Sequence, residues 1–257
     1  MLAYPYEFSL RKLIFSKERR GAILAVKNLT VSYDAVEYAI KDVTFAIDKP
    51  SIVGIIGPNG AGKSTLFKAM LNMIPHQGKS SLIQHLANVA YVEQKSQIDY
   101  TFPIKVAECV ELGIYPRLKL FGRVKKADKR KVAQVLAAVE MTYYKERQIG
   151  ELSDGQFQRV LLARALAQDA DIFLLDEPFV GIDMASEKII MAILRQLKQE
   201  GKLILIVHHD LSKVNHYFDH LLILNKKRIA FGPTMEIFTP ENLHDAYGSS
   251  VLTKGEF

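Results

Sequence analysis

The chain has a single cysteine, Cys109, so it can form neither an internal disulfide framework nor a cysteine-based structural zinc site, a usage that fits a reducing compartment. It also lacks any apolar run approaching the roughly 18 to 20 residues that a membrane-spanning helix needs. Its longest stretches, residues 51–57 and 203–207, are short and flanked by polar residues. Residues 1–20 mix aromatics with Arg11, Lys12, Lys17, Arg19 and Arg20, without the continuous apolar segment and small-residue cleavage site of a secretory signal, so no export is expected. Internal repeats and low-complexity tracts are missing too. A hydrophobic fraction of 49% and a charged fraction of 24% belong to an ordinary globular chain rather than a disordered or fibrous one. The net charge of +6 suits nucleic acid, anionic headgroups or a polyphosphate ligand equally well, and so selects no partner.

Residues 23–32 and 38–47, rich in β-branched and apolar side chains, predict two strands joined by a turn around Asp34 and Ala35. Residues 52–56 predict a fully buried strand that runs straight into a glycine-rich stretch. Helical spacing through Leu66, Met70 and Met73 then predicts a helix over 63–73, ended by Pro75. A short strand over 90–92 and a loop over 99–103 follow. From Val106 to about Ala167 the pattern turns helical, with Val132, Val135, Leu136 and Val139 at i, i+3, i+4 and i+7, which predicts an inserted helical subdomain. A strand over 172–175, a helix over about 185–199 closed by Gly201 and a strand over 203–207 restore the alternation of a parallel sheet. The expected fold is α/β, with a core that is discontinuous in sequence.

Gly57, Pro58, Asn59, Gly60, Ala61, Gly62, Lys63, Ser64 and Thr65 satisfy the P-loop pattern, between a buried strand and a helix start as that pattern requires. The glycines let backbone N–H groups turn inward around phosphates, and the helix N-terminus adds positive potential. Lys63 is placed to reach the β- and γ-phosphates, and Ser64 to ligate Mg²⁺, so ATP and Mg²⁺ are the expected ligands. The strand ending Leu174, Leu175, Asp176, Glu177 supplies the other half, because a carboxylate at a strand's C-terminal end can reach a metal bound over the loop. Asp176 is assigned to Mg²⁺ through water, and Glu177 to the general base that takes a proton from the attacking water. Alone, either motif also fits a tight turn or a solvated loop; together they favour the site.

Leu152, Ser153, Asp154, Gly155 and Gln156, upstream of Asp176, resemble the signature motif of ATP-binding cassette proteins. Ser153 and Gln156 also fit a capping box that opens a helix with no ligand present. The resemblance extends over nearly the whole chain. It implies a P-loop NTPase (RecA-like) core, residues 22–94 and 168–257, with an antiparallel β subdomain and an inserted α-helical subdomain over about 95–167. Residues 1–21 stand outside it as a basic N-terminal extension. It further implies that Ser153, Gly155 and Gln156 close over the nucleotide held by a second copy, in a head-to-tail homodimer. Tyr33 matches the aromatic that stacks on adenine, Gln94 the glutamine that senses Mg²⁺ and the membrane partner, Asp183 the dimer-contacting aspartate and His209 the γ-phosphate switch. Adjacent His208 and His209 on extended backbone point to opposite faces, and only His209 is assigned, by its match to a His-Asp-Leu pattern. The sequence departs from the commonest signature at Asp154, where glycine is usual; a carboxylate there would repel phosphates, so it is expected to point away.

Residues 99–106, 112–115 and the tail 224–233 are similar to importer ATPases for divalent metal ions, the manganese, zinc and iron group. That similarity implies a peripheral ATPase at the cytoplasmic face of the membrane, docked on a separate integral membrane permease. The permease would receive its cargo from an extracellular or periplasmic substrate-binding protein. Manganese is favoured, with zinc, iron or an iron chelate as alternatives. A nucleic-acid role is the runner-up class, and it is disfavoured by the short interval between P-loop and signature and by the single cassette, so no nucleic acid partner is expected. A non-hydrolysing regulatory cassette would normally lack the base or the switch, and both Glu177 and His209 are present. The cationic cluster Arg117, Lys119, Arg123, Lys125, Lys126, Lys129, Arg130 and Lys131 reads as a solvated helical face, with contact to anionic headgroups as the alternative.

Overall fold

A computed structural model describes residues 22–33, 37–82, 88–99, 101–118 and 122–248. The N-terminal extension, the turn at Asp34 and Ala35, Tyr100 and Lys119 lie outside the described residues.

Two long antiparallel strands open the chain, β1 (Leu24–Ser32) and β2 (Tyr38–Ile47), and β3 (Ile52–Ile56) follows with all five residues buried. Helix α1 (Lys63–Met70) leaves the glycine-rich loop. It is three residues shorter than its apolar spacing predicts. Asn72 takes a left-handed φ of 58° and Met73 N–H bonds back to the Lys68 carbonyl at 2.8 Å, a closing turn that ends the helix ahead of Pro75. β4 (Gln77–Ser80) then pairs with β1 to complete a three-stranded antiparallel sheet.

β5 (Val89–Val92) begins the return to the core, and the chain leaves it again for α2 (Val106–Glu111), α3 (Lys126–Ala138) and α4 (Asp154–Ala167). After that excursion come β6 (Ile172–Asp176), α5 (Met184–Gln199), β7 (Leu203–Val207), α6 (Val214–Tyr217), β8 (His220–Asn225), β9 (Lys227–Pro233), α7 (Thr234–Ile237) and α8 (Pro240–Tyr247). The six-stranded sheet runs β5-β6-β7-β3-β8-β9, parallel throughout except for β9, which pairs antiparallel with β8 at the edge.

Because side chains alternate across a strand, each central strand feeds two cores. Val53, Ile55, Leu174, Leu205 and Leu222 face one side, where they pack with the antiparallel sheet and α1. Ile52, Ile56, Phe173, Leu175, Ile204 and Ile223 face the other, against α4, α5 and the helical excursion. The sheet is therefore buried on both faces, which is why its strands read as unbroken apolar runs. This is a P-loop NTPase fold carrying an antiparallel sheet and a helical subdomain. Part of the cationic stretch is neutralised within the fold, since Arg117 and Lys131 both pair with Asp169. Among the described residues no helix is long and apolar enough to cross a membrane.

Candidate functional site

The C-terminal ends of β3, β5, β6 and β7 lie side by side, and the loops that leave them carry the site. A crevice at this edge of a parallel sheet, where the strand order reverses, is where such folds bind ligands. The loop after β3 turns into α1 through Gly62, whose φ of 89° disfavours any side chain. A Cβ there would also lie 2.3 Å from Ile40 Cγ2 and 2.5 Å from the Ala39 carbonyl oxygen. No side chain caps the N-terminus of α1, which leaves its positive end facing the loop. Lys63, 7% exposed, curls over that loop and donates to the carbonyls of Gly57 at 2.7 Å and Pro58 at 3.0 Å. Burial lowers its pKa, against the opposing charges of Glu177 and Asp176. At the rim Tyr33 is 69% exposed, with its hydroxyl 3.3 Å from Thr65 Oγ1, and it lines a cleft with Tyr38, Asn59, Gly60, Asn225 and Lys226.

Asp176 ends β6 and is 2% exposed; among the described residues its Oδ1 has no hydrogen-bond partner. Burial raises its pKa and the Glu177 carboxylate adds to the rise, while Ser64, Lys68 and Lys63 pull the other way. A buried carboxylate oxygen left unpaired beside a hydroxyl and an ammonium group is what a cation site needs. Glu177 follows at φ 52°, a left-handed conformation rare outside glycine, and its Oε2 accepts from Gln94 Nε2 at 2.8 Å. Gln94, at the end of β5, is thus brought directly onto Glu177. His208 and His209 continue from β7 and separate as expected, His208 buried and His209 exposed.

The signature residues sit apart from this cradle, at the start of α4. Ser153 caps the helix through Gln156 N–H at 3.3 Å, and Gln156 Oε1 accepts from Ser153 N–H at 3.1 Å, completing the capping box. Ser153 is exposed, whereas Gly155 is pressed onto the start of α5: a Cβ at Gly155 would lie 2.5 Å from Ser186 Oγ and 2.6 Å from Asp183 Oδ2. Asp183 caps α5 by accepting from Ser186 N–H at 2.9 Å, and those hydrogen bonds hold its pKa low. Signature and Asp183 loop are therefore neighbours within one chain.

Three features escaped the sequence reading. Tyr91, in β5, lies beside Asp176, and burial together with that carboxylate raises its phenol pKa. His208 is packed among Phe179, Tyr217 and Phe218, with ring centroids 5.5 to 6.0 Å away. Glu187, four residues along α5 from Asp183, accepts from Lys213 at 2.8 and 2.9 Å and from the Tyr217 hydroxyl at 2.5 Å. An acid at a buried position of an amphipathic helix is a signal that such a partner exists, though not which one.

The ABC transporter family profile matches residues 40–180. The manganese transport system ATP-binding protein MntB of Listeria innocua is 49% identical over 231 residues, covering 88% of this chain and 96% of that protein. The zinc transport system ATP-binding protein TroB of Treponema pallidum is 42% identical over 232 residues, covering 88% and 87%. Among solved structures, one described as a metal-chelate type ABC transporter in an inward-facing conformation shares 30% identity at a TM-score of 0.78, over 87% of this chain and 88% of that one.

Proposed function

Because the chain belongs to the ABC transporter family and is an ATP-binding, ATP-hydrolysing member of it, we propose that it powers import of a divalent metal ion, manganese first, through a separate membrane permease. The manganese and zinc transport relatives support the cargo class. The observation that carries the chemistry is the unpaired, buried Asp176 Oδ1, with Lys63 held over the glycine loop and Glu177 held by Gln94.

In this reading the chain works at the cytoplasmic face as one of two copies. Each glycine loop holds the phosphates of one ATP, and the N-terminus of the other copy's α4, with Ser153, Gly155 and Gln156, closes over them. Tyr33 supports the adenine, and Asp183 lies at the contact between copies. Ser64, Asp176 and Gln94 would hold Mg²⁺, which when bound supplies neutralising charge across the phosphate oxygens. Lys63 exchanges its own loop carbonyls for phosphate oxygens. Glu177 takes a proton from the attacking water as its oxygen bonds to the γ-phosphorus, the bond to ADP breaks, and Lys63 and His209 stabilise the charge that develops. Closure of the two copies draws the docked permease helices together, and a substrate-binding protein on the far side delivers the ion.

Glu177→Gln tests the mechanism: nucleotide binding is retained, turnover falls at least about a thousandfold and a dimer accumulates with ATP. Turnover at the parent rate sinks the base assignment. The cargo is tested by deleting the protein from its host and asking which metal restores growth under chelation. Rescue by manganese is the expected result, whereas rescue by zinc alone moves the assignment to zinc.

A further inference from the structure

The least ordinary residue of the site is Asp154, a carboxylate on the first turn of α4. Within one chain its position is favourable, because a helix N-terminus stabilises an anion. In the two-copy arrangement that same terminus must receive the phosphates of the other copy's nucleotide, so two anions compete for one positive helix end. The fold contains a device that separates them. Asp154 Oδ1 is paired with Lys95 Nζ, and its Oδ2 is turned toward Gly181, where a Cβ would lie only 3.2 Å away. The carboxylate is held between Lys95 and Gly181 of its own chain and carries a counter-charge. Lys95 directly follows Gln94, whose amide holds Glu177 at 2.8 Å. One ion pair therefore ties the loop that touches the catalytic carboxylate to the helix that closes over the partner's nucleotide, across 59 residues of sequence.

We propose that Lys95 is a positioning residue for ATP hydrolysis: it neutralises and restrains Asp154, keeps the N-terminus of α4 open to the γ-phosphate held by a second copy, and couples that terminus to the Gln94 loop. The proposal rests on the two-copy reading above. It makes the lysine necessary because of the aspartate. With glycine at 154, no carboxylate faces the phosphates and Lys95 loses its task.

The test compares the parent, Lys95→Ala, Lys95→Arg, Asp154→Gly and the double variant Lys95→Ala/Asp154→Gly, by steady-state ATP hydrolysis and by displacement of a fluorescent ATP analogue. Lys95→Ala lowers kcat/KM about tenfold, mostly by raising KM, which corresponds to about 1.4 kcal/mol. Lys95→Arg keeps the charge and stays within about twofold of the parent, and the double variant stays within about twofold of Asp154→Gly. Analogue affinity, read on dilute chains that do not pair, is the same in all five because the glycine cradle is untouched. A merely structural lysine would impair the double variant as much as the single one. Parental kcat/KM in Lys95→Ala, or an equal defect in both backgrounds, overturns the proposal while leaving the sandwich intact. A parent that binds the analogue but neither dimerises nor turns over ATP overturns the two-copy reading itself and the proposal with it.

Discussion

The two halves of the candidate site are built on opposite plans. The glycine cradle is closed in on itself: Lys63 and Asp176 are 7% and 2% exposed, Gly62 admits no side chain and Glu177 is pinned by Gln94 in a backbone conformation it would not choose alone. The signature half is open. Ser153 is exposed, the α4 N-terminus carries its own capping box and the Asp154–Lys95 ion pair, and Gly155 packs toward Asp183 and Ser186. The contrast teaches that one half is enclosed by its own chain while the other presents a capped helix end at the surface, which is the division the proposed two-copy reading requires. In the two-copy arrangement proposed above, the enclosed half of each copy would meet the open half of the other.

If that division is right, damage to either half separates binding from turnover. The largest effect is expected at Gly62→Ala. The new methyl group meets Ile40 Cγ2 at 2.3 Å and a backbone carbonyl at 2.5 Å, at a φ of 89° that adds strain of its own. Nucleotide affinity should fall by about a hundredfold or more, corresponding to about 3 kcal/mol, as measured by titration with a fluorescent ATP analogue. Affinity unchanged within error would show that the cradle does not depend on this turn.

Gly155→Ala should act on the other side of the comparison. Its methyl group meets Ser186 Oγ at 2.5 Å and Asp183 Oδ2 at 2.6 Å, pushing the start of α4 off the start of α5 without touching the cradle. Analogue affinity is expected within about twofold of the parent, while ATP turnover drops about 10- to 100-fold, the size of effect that follows a displacement of about 1 Å in a closing group. Loss of binding in this variant would erase the distinction between the halves.

These halves also differed in how far sequence could reach them. The cradle is legible because its chemistry uses neighbours along the chain: consecutive N–H groups of one loop, a lysine and hydroxyl on the following helix, and paired carboxylates at the end of an apolar strand. Ser153 with Gln156 is legible for the same reason, as a local cap. What couples the pieces is not local. Lys95 meets Asp154 and Glu187 meets Lys213 and Tyr217 through contacts distant in sequence, and Tyr91 meets Asp176 because β5 pairs with β6. In the fold, β4 was invisible for a different reason. Gln77, Gly78 and Lys79 are exposed and polar, and the strand exists because the open edge of β1 offers it a ladder, not because it has an apolar face to bury.

The smallest expected effect falls on His208, which belongs to neither half but packs against His209, the residue proposed as the γ-phosphate switch. Burial pushes its imidazole down to about 4 from 6.5, with the His209 and Lys213 charges adding to the fall and Asp210 and Glu187 opposing it. Aromatic rings of Phe179, Tyr217 and Phe218 surround it, and among the described residues its Nε2 has no hydrogen-bond partner. Between about pH 6.5 and 4 the unfolded chain therefore binds a proton that the folded chain refuses, so stability rises with pH across that window. The contribution is complete above pH 6.5 and is lost as pH falls toward 4. Between pH 7.5 and pH 5 it amounts to about 2 kcal/mol. Denaturant unfolding of the parent and of His208→Gln at both pH values isolates it, because other groups cancel in the difference. The parent should lose about 2 kcal/mol more than the variant on acidification. Parallel losses would mean that the imidazole takes up its proton in the fold as readily as in the unfolded chain, and that the packing around it tolerates a cation.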